Sequence, residues 1–290
     1  MQFLKALLLL LMPLALQAQV NTNYFKELQQ WHTEREQALA AENGWINLAG
    51  RYILKPGANT FGSAKDNAVK FPKGKCAARM GTLLVGPDSV WVLPARKADI
   101  RLQGNKIRQK MLLYPGPEGL TLHSGSLRYF IIRRGTQFIL RLRDLEHPAL
   151  KTFHGIPVFP ADTSWRVRAK LERRPGKTIP ITNVLGQTTQ MDCPGTLHFT
   201  LQGRPCRLDP VYDDGQLFLI FADPTNGTDT YGSGRFLYAD QPDAEGYTIL
   251  DFNRAINPPC AFTPFATCPL PPAQNRLTIE VSVGEKAVEH

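Results

Sequence analysis

Leu127-Arg-Tyr-Phe-Ile-Ile-Arg133, Arg134-Gly135-Thr136, Gln137-Phe-Ile-Leu-Arg-Leu-Arg143 is the stretch that decides the fold. Two runs rich in β-branched and aromatic residues flank a short turn that carries a glycine, which predicts a hairpin. Outward toward the N-terminus the pattern repeats. Leu48–Leu54, Thr60-Phe61-Gly62, Ala68-Val-Lys-Phe71, Gly81–Val85, Ser89–Leu93 and Ile100–Leu102 are short runs, punctuated by Lys55-Pro56-Gly57-Ala58-Asn59, Pro72 and Gln103-Gly104-Asn105-Lys106. No helical period lies between them, so residues 44–145 read as an antiparallel β-sandwich. Leu145–Asp162 is a connector. Trp165–Leu171 then alternates apolar and basic residues, as a half-buried strand does.

Further strands are expected at Ile179–Val184, Thr196–Leu201, Arg204–Leu208, Gln216–Ala222, Arg235–Tyr238, Tyr247–Phe252 and Leu277–Val283. Asp213-Asp214-Gly215 is a hairpin turn. The fold class is therefore mainly β, with a second antiparallel domain over 146–290. The exception is Tyr24–Glu42, where Phe25, Leu28, Trp31, Arg35, Ala38 and Leu39 follow helical spacing up to Asn43-Gly44. That helix makes an N-terminal arm over 19–43, with Leu28 and Trp31 packing on the β body.

The 290 residues are 43% hydrophobic, enough for two domains with their own cores. Charge is uneven: 30 basic and 13 acidic residues up to Leu208, against 4 and 12 from Asp209 onward. The plain reading is two surfaces of opposite field. A basic sandwich acting as a protein–protein interaction module is the alternative. The basic strand at Trp165–Leu171 lacks interleaved exposed aromatics, so no nucleic-acid partner is expected.

Lys5, the apolar run Ala6–Leu16 and the small residue Ala18 read as a cleaved signal peptide over 1–18. It is too short for a membrane span, and no other run is long enough for one. No cysteine follows the cleavage point, so no lipid anchor is indicated. A secreted, periplasmic protein is expected. In that compartment Cys193 with Cys206, and Cys260 with Cys268, are disulfide candidates, with buried free thiols as the alternative, while Cys76 is left over. Neither pair has metal-ligand spacing, so no metal site is expected, and no cofactor motif is present. Gly227, Gly232 and Gly234 precede no helix, and Ser233 lacks the glycine of a nucleophile elbow.

Asp251–Pro272 is the most unusual segment: six prolines, two cysteines and two asparagines between an apolar run and the last strand. Proline at that density excludes helix and central strand, leaving a long ordered loop. If Arg235–Tyr238 pairs with Tyr247–Phe252 as a hairpin, Thr230, Tyr231 and Arg235 meet Asp251, Asn253 and Asn257 at one sheet end, with Glu285 close by. A guanidinium, amides, a phenol and carboxylates orient a small polar or anionic ligand. The plainer alternative is that these groups satisfy the loop's own backbone. Asp251 or Asp223 as general base makes a hydrolase the other reading.

Two resemblances attach to these residues. Leu54-Lys-Pro-Gly-Ala-Asn-Thr-Phe-Gly-Ser63, Asp66-Asn-Ala-Val-Lys-Phe-Pro72 and Gln103-Gly104-Asn105 resemble the punctuation of a forkhead-associated sandwich. Ser63 stands where that family has its phosphothreonine-binding arginine, and no Ser-x-x-His occurs near Ala77–Gly81, so only the architecture is implied. Asp251-Phe-Asn-Arg-Ala255, Asn257-Pro-Pro-Cys-Ala-Phe-Thr-Pro264 and Cys268-Pro-Leu-Pro-Pro272 resemble the signature of the bacterial domain-of-unknown-function family 1684. So do Arg141-Leu-Arg143-Asp144, Phe159-Pro160, Phe221-Ala-Asp-Pro-Thr225, Thr230-Tyr231 and Gly234-Arg235-Phe236. This resemblance places Arg143 among the candidate ligand-binding residues and implies no established activity.

Overall fold

The computed structural model describes residues 22–117 and 119–288, and the expected signal peptide lies outside them. The described chain is mainly β with one long N-terminal helix. Among the described residues no helix is long and apolar enough to cross a membrane. The chain forms two compact units: Leu39–Phe153 with Thr263–Ala266, and the remainder, which takes in the helix up to Ala38, His154–Phe262 and Thr267 onward.

The sandwich unit holds β1 (Leu48–Ile53), β2 (Gly57–Gly62), β3 (Val69–Lys70), β4 (Gly81–Val85), β5 (Val90–Pro94), β6 (Arg101–Leu102), β7 (Asn105–Lys106), β8 (Met111–Tyr114), β9 (Leu122–Ser124), β10 (Leu127–Arg134) and β11 (Gln137–Asp144). They make a six-stranded sheet, β1-β11-β10-β9-β6-β7, and a five-stranded sheet, β3-β2-β4-β5-β8. The predicted hairpin is β10–β11, in register from Leu127 opposite Asp144 to Arg134 opposite Gln137. Its period-two pattern sends Leu127, Tyr129, Leu140 and Leu142 into a buried core with Phe61, Leu83 and Val92. Tyr129 is buried whole, and its hydroxyl finds the Ser124 hydroxyl at 3.0 Å, which removes the cost of an unpaired polar tip. On the outer face, Arg51 donates to the Ala266 carbonyl at 2.9 Å and Arg141 to that of Phe265.

The second unit holds β12 (Arg166–Arg173), β13 (Thr178–Thr182), β14 (Thr188–Asp192), β15 (Gly195–Leu201), β16 (Arg204–Leu208), β17 (Val211–Asp213), β18 (Gln216–Phe221), β19 (Arg235–Ala239) and β20 (Tyr247–Asp251). Sheets β16-β15-β12-β20 and β17-β18-β19 enclose a core of Leu171, Leu197, Leu219, Phe221, Leu237, Leu250 and Phe252. The Asp214-Gly215 turn joins β17 to β18 with both residues at positive φ, 43° and 78°, as a tight hairpin of that type requires. The helix α1 covers residues 22–40 and turns Tyr24, Leu28, Trp31 and Arg35 to one side, at the three- and four-residue spacing of a helical face.

Three expectations are corrected. Strands β19 and β20 do not form a hairpin: β19 pairs with β18, and β20 pairs with β12 from Arg166 opposite Asp251 to Lys170 opposite Tyr247. Leu277–Val283 is not a strand, although Leu277, Ile279, Val281 and Val283 are all buried in alternation. The Leu277 amide donates to the Ala222 carbonyl at 2.8 Å, and further along the backbone partners are side chains. The Val281 amide donates to Asp223 Oδ1 at 3.1 Å, and the Val281 and Val283 carbonyls each accept from Arg235 at 2.6 Å. The third is the Cys193–Cys206 disulfide. Both are free thiols. Cys193 precedes β15, whereas Cys206 lies opposite Phe199, six residues further on. At about 3.3 Å per residue that offset is roughly 20 Å, far beyond the reach of a disulfide.

Candidate functional site

Strand β20 ends at Asp251, and the chain turns at once into a 3-10 turn over Phe252–Arg254, whose first residue buries an aromatic ring. The turn forms because Asp251 caps it, its carboxylate accepting from the Asn253 amide at 3.2 Å. Asn253 is fixed in turn. Its side-chain amide donates to Asp251 Oδ1 at 3.1 Å and to the Asp162 carbonyl at 2.9 Å, and its oxygen accepts from the Asp162 amide at 2.9 Å. Asn253 therefore pins the connector to the turn and holds Asp251 rigid.

Asp251 forms part of the wall of a cleft of about 310 Å³. Helix α1 supplies Tyr24, Glu27 and Trp31, spaced along one helical face. Strands β12, β19 and β20 supply Arg166, Tyr238 and Ile249, and the 3-10 turn adds Arg254. The Tyr24 hydroxyl lies 3.0 Å from both Asp251 oxygens. Burial, then the adjacent Asp251 charge, pushes the Tyr24 phenol above its ordinary range, so it stays a donor. The Arg254 guanidinium lies 5.5 Å over the Trp31 ring, and that of Arg166 lies 5.8 Å over the Tyr24 ring. Arg254 Nε is 3.8 Å from Asp251 Oδ2, beyond hydrogen-bond length. That Nε is buried and, among the described residues, has no hydrogen-bond acceptor.

The other sequence candidates gather in a separate buried cluster. Arg235 is fully buried. Its guanidinium donates to Asp223 Oδ2 at 3.0 Å and to the Val281 and Val283 carbonyls. The expectation that Arg235 points into an open site is thus corrected. Asp223 cannot serve as an accessible base, because its Oδ1 accepts from the Thr225 hydroxyl at 2.6 Å, the Thr225 amide at 3.0 Å and the Val281 amide. Thr230 is buried with its hydroxyl 2.8 Å from that of Thr225. Tyr231 is half-buried, and its carbonyl accepts from the Gly234 amide at 3.1 Å. Asn257 is buried, its amide donating to Glu285 Oε2 at 2.6 Å and its side chain to the Lys286 carbonyl at 2.7 Å. Arg35 of α1 pairs with the same Glu285 carboxylate.

Glycine is required at two points of this cluster. A Cβ on Gly234 (φ 89°) would meet Pro271 Cγ at 2.5 Å, and one on Gly284 (φ 79°) the Ala255 carbonyl at 2.6 Å. Arg143 belongs to the sandwich unit and joins neither group. In the loop, the Cys260 amide donates to Cys268 Sγ at 3.0 Å, so the two cysteines lie together.

Of the candidates, the cleft brings in Asp251, with Asn253 behind it. Sequence reading missed Tyr24, Trp31, Arg166, Tyr238 and Arg254. Arg254 stands inside the Asp251–Ala255 motif and was within reach, whereas the spacing of Tyr24 and Trp31 says only that they share a face with the buried Leu28.

Residues 151–286 match the family model described as a protein of unknown function, DUF1684. An uncharacterized protein of Haloarcula marismortui, solved by solution NMR, is similar at 30% identity over 48% of this chain and 80% of that one, with a TM-score of 0.41. No curated protein matches.

Proposed function

Because residues 151–286 match the DUF1684 family of unknown function, and Asp251 and Arg254 of the Asp251–Ala255 segment stand in the cleft wall, we propose that this protein binds a small polar ligand there. The ligand presents an acceptor oxygen, a carboxylate or hydroxyl, to Arg254. The observation that carries the reading is the buried Arg254 Nε without an acceptor. A buried donor left unpaired costs about 1–3 kcal/mol, which a bound acceptor recovers. Trp31, Tyr24 and Tyr238 offer ring faces to the ligand's carbon skeleton, and three carboxylates, of Glu27, Asp240 and Asp251, stand among the lining groups with two arginines. That near balance of charge favours sugars, sugar acids and amino acids over polyanions.

The hydrolase reading retains Asp251 alone, and the Tyr24 hydroxyl already holds both its oxygens. Secretion to the periplasm, from the Lys5 and Ala6–Leu16 pattern, is proposed alongside. The test is a thermal-shift panel of sugars, sugar acids and amino acids on the wild-type chain and on Arg254→Gln. At least one compound raises Tm of the wild type by several degrees and leaves the variant unmoved. Equal shifts in both proteins, or none from any compound, would reject the cleft as a ligand site.

A further inference from the structure

We propose a second small-molecule site on the outer face of the six-stranded sheet, taking a ring-bearing monocarboxylate in the cavity beside Arg143 and Phe130. Register places His123 opposite Arg128 and Arg128 opposite Arg143, so the three side chains form one row across β9, β10 and β11. Like charges directly opposite on a sheet repel. Arg128 has a counterion, its Nε donating to Glu42 Oε1 at 2.6 Å. Arg143 has none: among the described residues no carboxylate lies within ion-pair distance. Its hydrogen bonds go to neutral acceptors, the Gly44 carbonyl and Asn47 Oδ1 at 3.0 Å. Arg143 is only half-buried, and burial lowers the pKa of its guanidinium, the expected response of a cation that gives up water without gaining an anion.

Beside it lies a cavity of about 490 Å³, lined by Glu42, which is already paired with Arg128, and by Asn43, Gly119, Thr121, His123, Arg128, Phe130 and Arg143. That size suits a single small molecule. The Phe130 ring sits 5.8 Å from the Arg143 guanidinium carbon, so the site pairs one unmatched positive charge with one aromatic face. A guanidinium fork matches a carboxylate in shape and charge, and a ring carried by that carboxylate stacks on Phe130. A dianion such as phosphate brings one negative charge too many and no ring.

The test titrates the full chain with benzoate, benzamide and inorganic phosphate by calorimetry, with the His123 and Trp31 ring resonances followed by NMR. Benzoate binds saturably, at least tenfold tighter than benzamide, and moves the His123 signals. Arg143→Gln weakens it at least tenfold. Should Arg143→Gln fail to fold for want of its bonds to Gly44 and Asn47, Phe130→Ala, at a half-exposed position, weakens benzoate by a similar factor. Equal binding of benzoate and benzamide, tighter binding of phosphate, no benzoate binding at millimolar concentration, or movement of Trp31 in place of His123 would each overturn the assignment.

Discussion

Arg235 and Arg254 stand nineteen positions apart in the same motif-bearing region and do opposite work. Arg235 has no contact with water; it replaces a missing strand, its two terminal nitrogens meeting the carbonyls that a neighbouring β-ladder would otherwise satisfy. Removing it leaves Asp223 as a buried charge without its partner, so Arg235→Gln should cost about 3–5 kcal/mol in urea unfolding. A loss below 1 kcal/mol would mean that the pair is not buried in solution. Arg254 lies at the cleft wall, and Arg254→Gln should change unfolding stability by far less. Tyr24→Phe removes a hydrogen bond to a carboxylate and should cost about 1 kcal/mol, read by the same method. Tyr24, Tyr129 and Tyr238 are all held above the ordinary phenol value of 10.0, in each case first by burial. Their native states keep protons that the unfolded chain releases, so their contribution to stability is complete below pH 10 and falls as pH rises beyond it. Tyrosinate absorbance of the native chain should lag behind that of the urea-unfolded chain above that pH. Coincident titrations would contradict the burial of these phenols.

At the scale of elements, the sequence was most legible where period two and turn chemistry agreed. The hairpin β10–β11 and the Asp214-Gly215 turn follow directly from alternation and from residues that accept positive φ. Leu277–Val283 carried the same alternation and is no strand, because periodicity reports which side chains are buried and says nothing of what the backbone bonds to. The hairpin expected between β19 and β20 failed for a related reason: two neighbouring apolar runs have a free choice of partner, and β18 and β12 took them. The candidate site was legible in part. Asp251 and Asn253 could be read from a dense polar motif, but the helix that completes the cleft lies more than 200 residues away in sequence, as the Tyr24–Asp251 bond illustrates. At Gly234, φ is 89° and an added Cβ would strike Pro271 and the Phe221 carbonyl. Gly234→Ala should therefore destabilise by about 1–3 kcal/mol in thermal unfolding, and a neutral result would show that the Pro271 segment yields easily.

For the whole molecule, the two compact units are each built from segments that are not contiguous in sequence. The sandwich unit includes Thr263–Ala266 from the proline-rich loop: Thr263 donates to the Leu48 carbonyl at 3.0 Å, and the Phe265 and Ala266 carbonyls accept from Arg141 and Arg51. A fragment of residues 39–153 lacks these acceptors and should melt at lower temperature than the same strands in the full chain, as read by calorimetry. Equal melting would mean that the loop adds nothing to the sandwich. The other unit carries the cleft, where the buried Arg254 Nε has no acceptor among the described residues. An NMR titration of the Arg254 Nε–H with whichever compound most raises Tm tests ligand binding there most directly. This proton is expected to shift downfield and to exchange more slowly as the ligand's oxygen reaches it; an Nε–H unchanged at saturation would contradict ligand contact at Arg254.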